Sequence, residues 1–270
     1  MTPTRALLLL IDGLRPDGLM QAHAPHLHSL MQRGAYSLTA QTVMPSITLP
    51  CHLSLFYSVP PGTHGIQSNT FPGRQTLGAG LVETLHAAGK VTTAFYNWEE
   101  LRDLWRPGAM HFTSFINLYR APNHDFDVDV AQAAAERLTT QPDWDFAFVY
   151  LGMLDERAHQ AGWMSPDYLE AITAADAAAG LLLQQLEDAN LLQDTLVLAL
   201  ADHGGHGYGH GNDIPEDITI PWILAGPGIQ AGVALQQPVS ILDSAPTLAH
   251  ALGLAIPEGW MGQVVREALA

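Results

Sequence analysis

The sequence predicts an α/β fold with a mostly parallel central sheet. Short apolar runs at 6–11, 91–96, 146–151, 195–200 and 222–225 alternate with longer Ala/Leu-rich stretches at 26–33, 77–88, 128–139, 166–188 and 244–252. That alternation is expected when helices cross over between parallel strands. Several of the longer stretches open on Ser, Asp or Pro, which are helix-start signals. With 270 residues and 47% apolar content, the chain is large enough for one sizeable core and reads as a single domain, residues 1–270.

Taken in order, the run at 6–11 stops at Asp12, far short of the roughly 20 residues of a membrane span, and reads as a buried strand. The runs at 91–96, 146–151 and 195–200 are each preceded by a helical stretch and followed by polar residues. No repeat or low-complexity linker interrupts the pattern. The irregular stretch 99–127 is rich in Trp, Pro, His and Asn, and marks a small insertion or lid at about 98–127.

Composition excludes several functions. The net charge is −16, with ten Arg and the single Lys90, so the chain lacks the basic face that a nucleic acid polymer requires. A small phosphate ester remains compatible if metal ions neutralise it locally. The lone Cys51 excludes an intramolecular disulfide. The opening residues lack the length and the small-residue cleavage site of a secretory signal, so the expectation is a cytoplasmic protein without a membrane segment.

In an open parallel sheet, ligands gather beyond the carboxyl ends of the strands. Polar clusters stand at three such ends: Asp12 after the first run, Asp155 and His159 after 146–151, and Asp202 with His203 after 195–200. The last belongs to ADHGGHGYGHG (201–211), which adds His206 and His210 among glycines. Glycines supply no core, and bare polar groups are costly to bury, so this segment reads as a metal-binding loop. The i, i+4 spacing of Asp155 and His159 places both on one helix face, which suits two ligands of one ion and equally a solvated face. If the three strands are neighbours, these side chains meet.

A nucleophile completes such a site. Thr48, flanked by Pro45 and Pro50, sits at an expected helix start, where backbone N–H groups favour an anion. Ser46 and Cys51 compete with it, and an ordinary helix cap at Ser46 or Thr48 is the alternative.

These residues resemble the alkaline phosphatase superfamily, and within it the type I phosphodiesterase and nucleotide pyrophosphatase family. The resemblance rests on LLLLIDGLRPDGL (7–19), PSITLPCH (45–52) with PPGTHGIQSN (60–69), LGMLDERAH (151–159), ADHGGHGYGHG and the closing VSILDSAPTLAHALGLAIP (239–257). It implies a three-layer α/β/α, alkaline phosphatase-like catalytic domain holding two divalent metal ions. Zinc is the expected metal, with manganese the alternative where carboxylates dominate. Asp12, Thr48, Asp202 and His203 would surround one ion. Asp155, His159 and His210, which fits the family's final His-Gly better than His206 does, would hold the other. Asn69 would donate to a non-bridging phosphoryl oxygen, and His64 would be structural.

The implied reaction is hydrolysis of a phosphodiester or pyrophosphate bond in small substrates such as nucleotides, through a covalent phosphothreonine on Thr48. No Arg or Lys occurs from 34 to 73, which favours a diester over a monoester, although Arg15, Arg106, Arg120 or Arg157 could reach in. A phosphomonoesterase, a phosphonate hydrolase and a non-catalytic metal-binding relative are the alternatives. The segment Cys51-His52-Leu53-Ser54-Leu55 lacks the C/S-x-P-x-R frame of sulfatases. Tyr57, Phe71, Trp98, Trp105, Phe112, Phe115 and Tyr119 are candidates to stack on a base, Trp98 and Trp105 foremost, with Tyr208 at the entrance.

Overall fold

The apolar runs assemble into one sheet. The structure is a computed structural model describing residues 3–70, 78–121 and 124–270. Its strands are β1 (Arg5–Ile11), β2 (Gly34–Gln41), β3 (Thr92–Tyr96), β4 (Phe112–Phe115), β5 (Phe146–Leu151), β6 (Thr195–Leu200), β7 (Thr219–Ala225) and β8 (Val233–Ala234). They lie in the order β4-β3-β5-β1-β6-β7-β2-β8. From β4 to β6 all neighbours are parallel, whereas β7 runs antiparallel to both β6 and β2.

Each central strand is apolar throughout because both of its faces are covered. Leu7, Leu8, Leu9 and Leu10 of β1 are fully buried, as are Phe146 and Phe148 of β5. Trimming one such leucine to alanine costs about 2–5 kcal/mol. Helices Pro16–Gln21, Pro25–Arg33, Phe126–Thr140 and Pro166–Asp188 form one outer layer, and Met153–Ala161 rests on the last of these. The other layer comprises Thr48–Tyr57, Pro61–His64, Leu81–Ala87 and Ser244–Ala251. The α/β/α expectation therefore holds.

Three strands escape the reading from sequence. β2 mixes Gly, Ser, Thr and Gln with its apolar residues and carries a register shift between Ser37 and Ala40. β4 is an edge strand of four residues, none of them buried, and β8 has two residues; neither offers an apolar run. The stretch 99–127 is accordingly not wholly an insertion, because it supplies β4 to the sheet edge. The expected helix at 77–88 is shorter, Leu81–Ala87, with residue 77 outside the described residues.

Candidate active site

Adjacent strands bring the polar ends together. β1 lies between β5 and β6, with Ile11 level with Leu151 and Leu10 level with Leu200. The backbone N–H of Asp12 donates to Leu151 O at 3.0 Å. Gly13 then turns the chain at φ +69°, a conformation that favours glycine, and a Cβ there would stand 3.0 Å from Asp155 Oδ1. Its N–H reaches Asp202 Oδ1 at 3.3 Å.

Asp12, Asp202 and His203 form the deeper of two groups able to hold a metal ion. All three are buried. His203 Nε2 lies 3.3 Å from Asp12 Oδ1 and 3.4 Å from Asp202 Oδ2. Thr48 Oγ1 approaches the same nitrogen at 3.2 Å. Thr48 is the first residue of its helix, after Ile47 as N-cap with no side-chain cap bond. Ser46 is engaged elsewhere, donating from Oγ to Asn212 O. Neither hydroxyl is thus an ordinary helix cap. Cys51 is fully buried, and burial pushes its thiol up.

Of the first backbone donors of this helix, Leu49 N–H bonds Asn69 Oδ1 at 2.9 Å, and Pro50 has none. Among the described residues the Thr48 N–H has no hydrogen-bond partner, which suits it to an incoming anion. With its side-chain carbonyl held by Leu49 N–H, Asn69 has its Nδ2 amide left to donate. His52 fixes the same turn, with Nδ1 donating to Thr48 O at 2.8 Å. Burial lowers its pKa to about 3, so the ring is neutral.

The second group is Asp155, His159 and His210. Asp155 and His159 share the face expected of their spacing, with Asp155 Oδ2 3.2 Å from His159 Nε2. His210 arrives from the glycine loop, its Nε2 3.9 Å from Asp155 Oδ1. Its ring stacks on that of His203, centroids 3.8 Å apart, so the two groups adjoin. His206 turns away, its Nδ1 2.7 Å from Asp217 Oδ1.

Three imidazoles are oriented alike. The Nδ1 atoms of His203, His159 and His210 lie within hydrogen-bond distance of Gly204 O (2.8 Å), Tyr208 O (2.9 Å) and Ser46 O (2.8 Å). Donation from Nδ1 to a carbonyl points each Nε2 into the site, the arrangement that fixes histidine as a metal ligand. Among the described residues, Asp12 Oδ1, Asp155 Oδ1 and Asp202 Oδ2 are buried with no hydrogen-bond partner. Orphaned buried carboxylate oxygens are costly unless a cation meets them. The donor set therefore fits two divalent cations.

Electrostatics differ between the groups. Burial, with the neighbouring Asp202 and Asp155, pushes Asp12 well above the usual carboxylate range. Burial, reinforced by Asp155, pushes Asp202 up to about 8. Burial opposes ionisation of Asp155 too, but the His159 hydrogen bond with His203 and His210 nearby holds it below the usual value. The same bond raises His159 to about 9, while burial lowers His210 to about 4.

A cleft of about 210 Å³ opens over the site, lined by Asp12, Thr48, Asn69, Trp98, Leu118, Tyr119, Tyr150, Gly152, Asp155, Glu156, His159 and His210. No Arg or Lys is among these described lining residues. Arg15 instead bonds Asp17 and Gly205 O, and Arg120 pairs with Asp129. Trp98 and Tyr119 face the cleft as aromatic candidates. Trp105 does not: it is buried against Phe56, Tyr96 and Phe148, because a large apolar ring gains more in the core. Tyr57 is buried as well, and Tyr208 is exposed; Phe71 lies outside the described residues. His64 is fully buried on Ser54 Oγ at 3.0 Å.

Tyr150 and Glu156, like His52, were missed from sequence. Tyr150 donates a hydrogen bond to Asp12 Oδ2, and Glu156 accepts one from the Tyr119 hydroxyl. Tyr150 shares the period-two face of Phe146 and Phe148 and so reads as core; Glu156 reads as an ordinary helix-surface charge.

The sequence matches the family of type I phosphodiesterases / nucleotide pyrophosphatases over residues 6–114 and 82–214. It is 26% identical to the human GPI ethanolamine phosphate transferase 2 catalytic subunit, over 97% of this chain and 28% of that protein. It is 25% identical to rat ectonucleotide pyrophosphatase/phosphodiesterase family member 3, over 73% of this chain and 24% of that protein. The chain thus spans about a quarter of the length of these relatives. Its fold is similar to that of murine ectonucleotide pyrophosphatase / phosphodiesterase 5, an inactive variant in complex with AMP, at TM-score 0.83 and 16% identity, covering 99% of this chain and all of that one. The chain belongs to the type I phosphodiesterase / nucleotide pyrophosphatase family.

Proposed function

We propose that this protein is a two-metal hydrolase of phosphodiester or pyrophosphate bonds in small substrates such as nucleotides, with Thr48 as nucleophile. The observation that carries the reading is the meeting of Thr48 Oγ1 with His203 Nε2 at 3.2 Å, beside the unpartnered oxygens of Asp12 and Asp202. Asp12, Asp202, His203 and Thr48 would hold one ion, and Asp155, His159 and His210 the other. Imidazole and carboxylate donors in this ratio suit zinc, with manganese the alternative. Bound cations would supply positive charge favouring the ionised threonine oxygen on one side and the departing oxygen on the other.

The residues divide the remaining work. Asn69 Nδ2 and the Thr48 N–H donate to a non-bridging phosphoryl oxygen as its charge grows. Thr48 Oγ1 bonds to phosphorus as the bond to the leaving oxygen breaks, giving a phosphothreonine ester. Water then attacks the same phosphorus, and the bond to Thr48 breaks to restore the hydroxyl. His52, neutral and bonded to Thr48 O, keeps the nucleophile's turn in place.

A monoester dianion brings an extra charge, and a site for it needs a matching cation. The described cleft wall holds none, which favours a diester or pyrophosphate. Trp98 and Tyr119 could stack on a base, and the AMP held by the murine relative is consistent with that use. The test compares bis(p-nitrophenyl) phosphate with p-nitrophenyl phosphate on zinc-loaded protein. A diester preference of about tenfold or more, about 1.4 kcal/mol of transition-state preference, supports the reading. A monoester preference makes the protein a phosphatase.

A further inference from the structure

The cleft wall and the helix carrying Asp155 and His159 meet at one buried place, Asn97 with Asp127: the side chains of the pair bond the helix start, and the backbone of Asn97 bonds the wall. We propose that Asn97 and Asp127 are positioning residues that register the wall of the cleft on this helix. The inference goes beyond the metal reading above and rests on it only for its consequence at the ions.

The two residues close the base of the segment that leaves β3 and re-enters the fold at helix Phe126–Thr140. Asn97 directly follows β3, and Asp127 lies in the first turn of that helix. Each is about 1% exposed. Asn97 Nδ2 donates to Asp127 Oδ1 at 2.7 Å. The backbone N–H of Gly152 donates to Asn97 Oδ1 at 3.1 Å, and that of Met153 donates to Asp127 Oδ1 and Oδ2 at 3.2 and 3.3 Å. Gly152 and Met153 are the N-cap and first residue of helix Met153–Ala161. The pair thus supplies the helix start with the acceptors that its own N-cap, a glycine, has no side chain to provide. Asp155 follows two residues later and His159 one turn after that.

The same support reaches the wall. Trp98 adjoins Asn97, and Leu118 N–H donates to Asn97 O at 3.1 Å; both Trp98 and Leu118 line the cleft. At the rim, the Tyr119 hydroxyl bonds Glu156 on the same helix. Wall and helix are therefore joined at base and rim. The approach at the base is close, since a Cβ on Gly152 would stand 2.9 Å from Asn97 Oδ1. Burial also pushes Asp127 up to about 7. An apolar residue would fill the space without that penalty, so a plain packing role does not account for a carboxyl here.

The pair admits a chemical swap. In the Asn97→Asp/Asp127→Asn double variant, the new carboxylate accepts from Gly152 N–H and from the new amide, whose carbonyl accepts from Met153 N–H. The bond between the two side chains is rebuilt with its donor reversed, and Gly152 N–H and Met153 N–H each keep an acceptor, Met153 through one oxygen instead of two. Asn97→Asp alone sets two carboxylates against each other, and Asn97→Ala leaves Gly152 N–H without an acceptor.

The test is hydrogen exchange on metal-free protein together with zinc counting by mass spectrometry. The expected result for both Asn97 variants is exchange about tenfold or more faster in 98–121 and 152–161, with β1 and β6 unchanged, and weakened binding of one zinc of two. The swap restores exchange in both segments. Exchange unchanged at 152–161 in Asn97→Ala, or faster throughout the chain, overturns the proposal, as does a swap that rescues nothing. The exchange readout involves no metal, so failure of the two-metal reading shows separately, as wild-type protein that does not take up two zinc ions.

Discussion

The two candidate metal-binding groups adjoin, yet they are built differently. Asp12, Asp202 and His203 stand on the ends of neighbouring central strands and are wholly enclosed, with two carboxylates to one imidazole. Asp155, His159 and His210 come from a helix and a glycine loop, with one carboxylate to two imidazoles, and the His159 side chain is 39% exposed. The first group concentrates negative charge where water cannot screen it, and its aspartates are driven up. The second carries an imidazole raised to about 9 that offsets its carboxylate. Two buried carboxylates would make the deep group depend on a bound cation, whereas the outer group would tolerate its absence. All three outer residues line the cleft, whereas of the deep group only Asp12 does.

The largest effect that follows is on the deep group. Chelation should abolish turnover and lower the melting temperature, and restored zinc should recover both. Calorimetry and rate assays on the same samples check this; full activity in verified metal-free protein breaks the comparison. Asp202→Asn sharpens it. The variant should lose metal and nearly all activity, yet at pH 9 its chelated form should melt above chelated wild type, because the buried charge is gone. A lower melting temperature would show that Asp202 has another structural partner.

Next in size is the pH dependence of the chelated protein. Asp12 and Asp202 hold protons in the folded state that the unfolded chain releases near pH 4, and His159 is likewise raised. Folding therefore takes up protons, and stability falls as pH rises through about 8 to 9. Zinc-loaded protein should show no such slope over pH 7 to 9. Asn69→Ala should cost about 10²-fold in kcat while both metals stay bound, checked by rate and metal count together. At the small end, His206→Ala should leave metal content and kcat within about twofold, because this ring contacts Asp217 instead of the site; a lost zinc would return it to the ligand set.

The contrast also explains what was legible in the sequence. Asp12, Asp155 and Asp202 stand out because each follows an apolar run that must stop where the sheet ends, and the parallel-sheet rule says what gathers there. His210 needed the resemblance, since local pattern gives His206 the same surroundings; the geometry places His210 beside Asp155 and His206 on Asp217. Thr48 was one hydroxyl among competitors until the helix start fixed which oxygen faces His203. Other contributions are silent in a linear reading. Tyr150 looks like a core residue because its period-two neighbours are core, and only the packing of β5 against β1 brings its hydroxyl to Asp12. Trp105, chosen for its aromatic ring, fills the core for that same reason. Asn97 and Asp127 are 30 residues apart and act through backbone donors that carry no sequence signal. Strands β2, β4 and β8 lack the continuous apolar run that full coverage imposes on the centre of the sheet.

The central claim is that Thr48 is the nucleophile of a metal-organised site. It is tested most directly by Thr48→Ala, with turnover of bis(p-nitrophenyl) phosphate and zinc content measured on one preparation. The account predicts a loss of about 10³-fold or more in kcat with both zinc ions retained. Turnover near the wild-type rate would contradict it and leave the hydrolysis to another group.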